Sequence, residues 1–391
     1  MIVRDVESRL RMLAGQFPAI VLTGPRQSGK STLCQQVFAG LRYATLESPD
    51  VRAFALDDPR GFLKQFPKGA VLDEIQNAPK LPSYLQEIID HEPAPGRWIL
   101  TGSQNLSVMA SASQSLAGRS AVLHLLPLSR HEVTAFAAHP QTLNETLLTG
   151  GYPRILDRRL RPSDWLAAYV ATYLERDVRS LSNLGDLVAF QRFVQLSAGR
   201  IAQLLNFSAL AGDCGVSQPT AKAWLSVLEA SFIAFRLPSF HGNFSKRLIK
   251  MPKLHFYDTG LACWLLGIRD ISQLDLHPLR GAVFESWVVS EILKQRCNRG
   301  EFNGVFFFRD RAGLESDVLV QGRKAIKLVE VKAGQTISSD WAANANKISI
   351  MFAKTKQATE SVAVYGGAER QERNGVTYLP WSAIPDYAWD E

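Results

Sequence analysis

The sequence predicts an α/β protein in three parts: a parallel α/β sheet at residues 1–140, a helical middle with a helix-turn-helix at 141–275, and a second α/β domain at 276–391. Three observations predict this. A glycine-rich loop, Gly24-Pro25-Arg26-Gln27-Ser28-Gly29-Lys30-Ser31, joins an apolar strand-like run at 19–22 to a helical stretch at 32–38. A second apolar run at 70–72 ends in the acidic pair Asp73-Glu74. Near the C-terminus, Glu285 on a helical pattern is followed by strand patterns carrying Asp317 and then Glu330-Val331-Lys332.

The first loop fits the phosphate-loop pattern G-x-x-x-x-G-K-[ST] at every fixed position and has the strand-loop-helix setting that pattern needs. Backbone N–H groups of such a loop cradle phosphate oxygens at a helix N-terminus. Residues Gly24 through Ser31, with Thr32, are therefore the expected ATP-binding segment. Lys30 is expected to reach the β- and γ-phosphates, and Ser31 to ligate Mg²⁺. Asp73 is expected to hold Mg²⁺ directly or through water, and Glu74 to act as general base toward the attacking water. Both belong at the C-terminal edge of the sheet, where open α/β folds bind ligands. A short strand at 42–47 separates the loop from the Asp-Glu strand.

A fourth strand at 97–100 runs into Thr101-Gly102-Ser103-Gln104-Asn105. Thr101 and Ser103 are candidates to sense the γ-phosphate and orient water; equally, Ser103 or Asn105 could simply cap the next helix. Arg119 precedes a fifth strand at 121–126 and could neutralise γ-phosphate charge in cis or across a subunit interface, or else make a surface salt bridge. One strand between loop and acidic pair, with glutamate beside aspartate, is similar to the additional-strand, catalytic-glutamate branch of phosphate-loop ATPases, which includes AAA+ motors. The first part is thus expected to be a P-loop AAA+-type ATPase domain.

Residues 141 to about 200 read as mostly helical, with a turn at Gly150-Gly151-Tyr152-Pro153-Arg154, apolar residues at helical spacing from Trp165 to Leu174, and a charged face at 175–178. A short helix from Ser208, a glycine turn at Gly215 and a Ser217-capped helix form a helix-turn-helix signature. Gln218, Thr220 and Lys222 lie near the exposed start of the second helix. Strands at 232–237 and 254–257 are expected to flank a wing, with Lys246, Arg247, Lys250 and Lys253 placed to contact phosphates. DNA is the expected partner, although winged helices also serve as protein-interaction modules.

In the last part, Glu285 shares an apolar helix stripe with Val288, Val289 and Ile292, a costly place for a carboxylate unless it is paired or metal-bound. Asp317 starts a strand, and Glu330 and Lys332 point to the same side of the next. Helix Glu, strand Asp and E-x-K predict a restriction-endonuclease-like domain. Glu285, Asp317 and Glu330 are its candidate Mg²⁺ ligands, and Glu330 and Lys332 its catalytic candidates. Such folds also persist as binding modules that do not cut.

The whole chain resembles a family of prokaryotic AAA-type ATPases with a C-terminal region of unknown function. The resemblance rests on the phosphate loop, Leu72-Asp73-Glu74-Ile75-Gln76, Leu100-Thr101-Gly102-Ser103, Pro127-Leu128-Ser129, Gly150-Gly151-Tyr152-Pro153, Tyr257-Asp258-Thr259-Gly260-Leu261, Gly281 through Glu285, and Glu330-Val331-Lys332. It implies ATP hydrolysis, a winged helix and a nuclease-like domain.

Composition fits this reading. The chain has 391 residues, 46% hydrophobic and 21% charged, which is ordinary for a folded soluble protein of two or three domains. A formal charge of +7 favours a polyanionic partner. The N-terminus lacks the apolar core of a signal peptide, and no apolar run approaches a membrane span. Four separated cysteines suggest neither zinc nor disulfides. The expectation is a cytoplasmic, homo-oligomeric ATPase with ATP and Mg²⁺ as cofactors, remodelling or processing DNA, branched DNA included. The alternative is a nucleotide-gated signalling or defence switch with a C-terminal binding scaffold; a protein remodeller would need an aromatic pore loop that the sequence does not offer.

Overall fold

The structure, a computed structural model, describes residues 2–103, 115–174, 186–240, 250–354 and 357–391. The chain forms two compact units, one of Met1–Leu128 with Ala230–Phe232 and Gln295–Glu301, the other of Ser129–Glu229, Ile233–Lys294 and Phe302–Glu391.

The first unit is built on five parallel strands, β1 (Ala19–Thr23), β2 (Arg42–Thr45), β3 (Ala70–Asp73), β4 (Trp98–Gly102) and β5 (Ser120–His124), in the order β2-β3-β4-β1-β5. β1 is buried at every residue, as expected of a parallel strand covered on both faces. Its alternation shows the two layers: Ile20 and Leu22 pack with Val6, Leu10 and Leu33 on one face, Ala19 and Val21 with Leu72, Leu85 and Trp98 on the other. The helices are α1 (Glu7–Ala14), α2 (Lys30–Val37), α3 (Pro49–Asp57), α4 (Pro59–Lys64) and α5 (Leu81–His91). β4 inserts between β1 and β3, so the ends of these three strands stand side by side at one sheet edge.

The second unit begins with short helices, α6 (Arg130–Thr134), α7 (Leu143–Thr149), α8 (Pro153–Asp157) and α9 (Pro162–Tyr169). α10 (Leu187–Ala198), β6 (Gln203–Leu204), α11 (Phe207–Cys214), α12 (Gln218–Ala230), β7 (Ala234–Leu237) and β8 (Lys253–Phe256) follow. β8 is the middle strand of the small sheet β6-β8-β7. After α13 (Thr259–Leu265), α14 (Ile271–Leu276) and the long α15 (Arg280–Asn298) comes a six-stranded sheet. Its strands are β9 (Val305–Arg309), β10 (Glu315–Gln321), β11 (Ile326–Lys332), β12 (Thr359–Tyr365), β13 (Gln371–Arg373) and β14 (Val376–Pro380), in the order β13-β14-β12-β11-β10-β9, with α16 (Ala343–Ala353) connecting β11 to β12. β9, β10 and β11 pair antiparallel; β11, β12 and β14 pair parallel.

The segments expected to be separate at 275/276 share one core in this second unit: Leu147, Tyr152, Phe193, Phe256, Phe284, Val329 and Trp389 belong to one continuous apolar cluster. All four cysteines are buried thiols. No described helix is long and apolar enough to cross a membrane. The charged segment at 175–178 and the basic residues Lys246 and Arg247 lie outside the described residues.

Candidate functional site

The phosphate loop leaves β1 and enters α2 through residues that only special backbone geometry allows. Gly24 has φ +155°, and a Cβ there would lie 2.1 Å from the Leu125 carbonyl oxygen, so no side chain fits. Gly29 takes φ +93° at the start of α2, the left-handed region that glycine enters at little cost. The Lys30 ammonium, buried, donates to the carbonyls of Gly24 at 3.0 Å and Pro25 at 2.8 Å. Burial lowers its pKa, against the opposing charges of Glu74 and Asp73. Arg4 braces the loop by donating to Ser28 O at 2.7 Å and Leu126 O at 3.0 Å.

Asp73 ends β3 and gathers hydroxyls. Ser31 Oγ donates to its Oδ2 at 2.9 Å, Tyr43 OH donates to the same oxygen, and Thr101 Oγ1 donates to Oδ1. The Tyr43 phenol is held above its ordinary pKa by burial and by this carboxylate. A hydroxyl and a carboxylate facing each other at the mouth of a phosphate loop are hard oxygen donors of the kind Mg²⁺ takes alongside water and phosphate oxygens, so Ser31 and Asp73 fit that ion.

Glu74 adopts φ +56°, a left-handed conformation that a non-glycine residue holds only when its surroundings demand it. Its Oε2 accepts from Ser103 Oγ at 3.1 Å and from the Gln76 amide, which also reaches Ser103 at 3.3 Å. Thr101 and Ser103 thus stand on the acids: one on Asp73, one on Glu74. Asn105 lies outside the described residues.

Arg119 requires a correction. It donates to Asp90 in a surface pair, with Nη2–Oδ2 at 2.9 Å, and its carbonyl accepts from Ala19 N, the first residue of β1. In a parallel sheet that is the N-terminal edge, a strand length away from the loop that follows Thr23. Arg119 therefore cannot reach a γ-phosphate bound in its own chain.

Tyr43, Gln76 and Arg4 were missed as site residues by sequence reasoning. Gln76 sits in the motif that carried the acidic pair and could have been found there; nothing marks Tyr43 or Arg4 before the strand order is known.

In the second unit the expected carboxylates do come together, around an unexpected centre. Lys253 Nζ lies 2.8 Å from Glu285 Oε1, 2.6 Å from Glu315 Oε1 and 3.9 Å from Asp317 Oδ1. The placement of Lys253 on a solvent-exposed wing is thus overturned: β8 begins at Lys253, whose side chain is only 4% exposed. A register shift between Ser316 and Leu319 re-aims Asp317, whose Oδ2 accepts from Val331 N at 2.8 Å. Lys332 Nζ pairs with Glu330 Oε1 at 2.7 Å, the same-side neighbour that strand alternation requires.

Glu285, Asp317 and Glu330 do not fit the metal set expected of them. Among the described residues no group of three or more His, Cys, Asp or Glu is arranged to hold a metal ion. An ammonium stands between Glu285 and Asp317, and Glu330 and Asp317 already spend oxygens on Lys332 and on the backbone.

These carboxyls titrate late. Burial, reinforced by Asp317 and opposed by Lys253, pushes Glu285 up to about 8. Burial and then Asp317 push Glu330 up to about 7, against Lys332. Protons held by the folded state are released on unfolding, so this contribution is present near pH 4.5 and is lost as pH rises through 7 to 8. The first unit has the opposite sense. Burial pushes His124, which lies 2.6 Å from Thr23 Oγ1 through Nδ1, down to about 4. Its contribution is present above pH 6.5 and lost as pH falls toward 4. Hydrogen exchange followed by mass spectrometry at pH 5.5 and 8.5 is expected to show the second unit opening more readily at 8.5, by on the order of 2 kcal/mol, and the slope flattening in Glu285→Gln.

The family model described as an AAA domain matches residues 16–134. Two domains of unknown function, DUF8612 and DUF4143, match residues 140–272 and 280–384. The chain's first unit is an AAA-type P-loop domain. Among solved structures, the Walker-type ATPase PABY2304 of Pyrococcus abyssi is 16% identical at a TM-score of 0.44, covering 68% of this chain and 96% of that one. A RuvB variant of Thermotoga maritima is 18% identical at a TM-score of 0.31, covering 61% and 90%. Both overlaps are too low to carry a function across. The uncharacterized proteins Mb2031c of Mycobacterium bovis and Rv2008c of Mycobacterium tuberculosis are each 30% identical over 321 residues, 81% of this chain and 71% of theirs. With that identity over most of both lengths, the chain belongs to the family of these two mycobacterial proteins.

Proposed function

We propose that the chain hydrolyses ATP and uses the turnover to remodel DNA. The observation that carries the first half is the convergence of Ser31 and Thr101 on Asp73, with Glu74 held beside it by Ser103. In this reading the loop amides and Lys30 bind the phosphates, the Lys30 ammonium leaving the Gly24 and Pro25 carbonyls to do so. Glu74 accepts the proton of the attacking water at its carboxylate. Mg²⁺ held by Ser31 and Asp73 would offset phosphate charge and help align the leaving group.

The DNA half is supported by α10, β6, α11, α12, β7 and β8, an order of elements that suits a winged helix. Asn206 caps α11, Gly215 turns at φ +73°, and Ser217 Oγ accepts from Thr220 N at 3.2 Å to start α12. Gln218 and Lys222 are exposed at that start, and Lys250 is exposed before β8. A net charge of +7 suits a polyanion. α15, the antiparallel β9-β10-β11, α16 and the parallel β12 suit a restriction-endonuclease-like fold, which enters this reading as a grip. Self-association is part of the reading and is tested by sedimentation with and without ATP.

Lys222→Ala is expected to weaken DNA binding about equally across sequences and to reduce the slope of log affinity against log salt by about 1, as read by fluorescence anisotropy. The test of the whole reading uses labelled linear and four-way-junction DNA with Mg²⁺, with and without ATP, on native and denaturing gels. Strands separated but uncut, only with ATP and not by Lys30→Ala, support it. Turnover and strands both indifferent to DNA would move the function to a nucleotide-gated switch, a reading favoured by the internally neutralised carboxylate cluster.

A further inference from the structure

We propose that the Lys253 ammonium is the permanent cation of the carboxylate cluster, taking the central place that a divalent metal takes in metal-dependent phosphodiesterases, so that this domain needs no metal there and does not cleave phosphodiesters. The proposal goes beyond the ATP-driven reading and does not depend on it.

The geometry supports it in four ways. The ammonium makes short contacts to Glu285 and Glu315 and faces Asp317 at 3.9 Å, so it lies among carboxylates from two different elements, α15 and β10. It is not on a loop that could swing away. Lys253 pairs with Leu204 of β6 and with Leu237 of β7, so its backbone is fixed on both sides. One oxygen of each neighbouring carboxylate is engaged elsewhere as well, Asp317 Oδ2 on Val331 N, Glu330 Oε1 on Lys332, and Glu315 Oε2 on Arg309 at 3.2 Å, so the oxygens that face the centre face the ammonium. Finally, the charges nearly balance without a metal, since Lys253, Lys332 and Arg309 face Glu285, Glu315, Asp317 and Glu330. A divalent ion entering here would have to displace the buried Lys253 ammonium from Glu285 and Glu315 or share the site with it at the cost of like-charge repulsion.

A buried ammonium shared among carboxylates also joins β8 to α15 and β10. Breaking such a set by removing one partner leaves uncompensated buried charge, which is strongly destabilising. The remaining carboxylates would then be free to take a metal.

The experiment is a Mn²⁺ titration of the full-length chain, followed by electron paramagnetic resonance, in an Asp73→Asn background that removes the acid of the ATP site. The expected result is no tightly bound Mn²⁺. Adding Lys253→Met, close in length and uncharged, is expected to lower the melting temperature by on the order of 10 °C, to create uptake of one Mn²⁺ that restores the loss, and to lose that uptake again with Asp317→Asn. Mn²⁺ bound stoichiometrically with Lys253 in place and released by Asp317→Asn would overturn the proposal. So would Mn²⁺-dependent nicking of supercoiled plasmid that Asp317→Asn abolishes, or a Lys253→Met chain that melts like its parent. If Lys253→Met fails to fold, the titration with Lys253 in place decides alone: no uptake upholds the proposal and uptake defeats it.

Discussion

Glu74→Gln is expected to lower ATP turnover on the order of 10²- to 10⁴-fold, the range lost with a positioned general base, while nucleotide binding stays near its original strength. The amide keeps the size of the carboxylate and can still accept from Ser103, so the left-handed turn at residue 74 has no reason to relax. What is lost is the ability to take a proton from water. Lys30→Ala should behave differently, weakening binding itself, because the proposed reading gives the ammonium to the phosphates. Ser103→Ala should fall between, on the order of 10-fold down in turnover with little change in binding, since one good hydrogen bond of about 1 kcal/mol aims Glu74. Phosphate release at saturating ATP, with equilibrium binding of a fluorescent ATP analogue alongside, separates these cases. Full turnover in Glu74→Gln would remove Glu74 from the chemistry.

Asp258→Ala is expected to destabilise the second unit by about 2–4 kcal/mol, from a lost cap together with backbone donors left unpaired in the interior. Asp258 is 3% exposed. Its Oδ1 accepts from Leu261 N at 2.8 Å, capping α13, and its Oδ2 accepts from Gly151 N at 2.7 Å, more than a hundred residues earlier in the chain. Burial raises its pKa, and these backbone bonds oppose the rise. The glycines around it are there for space: a Cβ on Gly150 would lie 2.4 Å from Asp258 Oδ1, and one on Gly260 would lie 2.9 Å from the Thr149 carbonyl. Urea unfolding followed by tryptophan fluorescence measures the loss. A change below 1 kcal/mol would mean that water replaces the carboxylate without cost.

The geometry of the phosphate loop and of the acidic pair was legible because those residues are local in sequence. A loop between one strand and one helix, and two acids at the end of another strand, keep their geometry whatever else the chain does. The partners of those acids were less legible, because they depend on strand order. Tyr43 reaches Asp73 because β2 pairs with β3, and Arg119 misses the site of its own chain because it stands at the opposite end of β5. The carboxylate set was half legible. Periodicity put Glu285 on a buried stripe and Glu330 beside Lys332. It could not show that β8 would start one residue early and turn Lys253 inward, a matter of register in a small sheet that forms only when distant segments meet.

The four buried thiols have a practical consequence. Burial raises the pKa of Cys34, Cys214, Cys263 and Cys297, so little nucleophilic thiolate exists near neutral pH. Toward maleimides the folded chain should behave as though it had no cysteine. A single exposed cysteine introduced at position 250 would then carry a dye without removal of the native ones, an optical reporter of whether anything approaches β8.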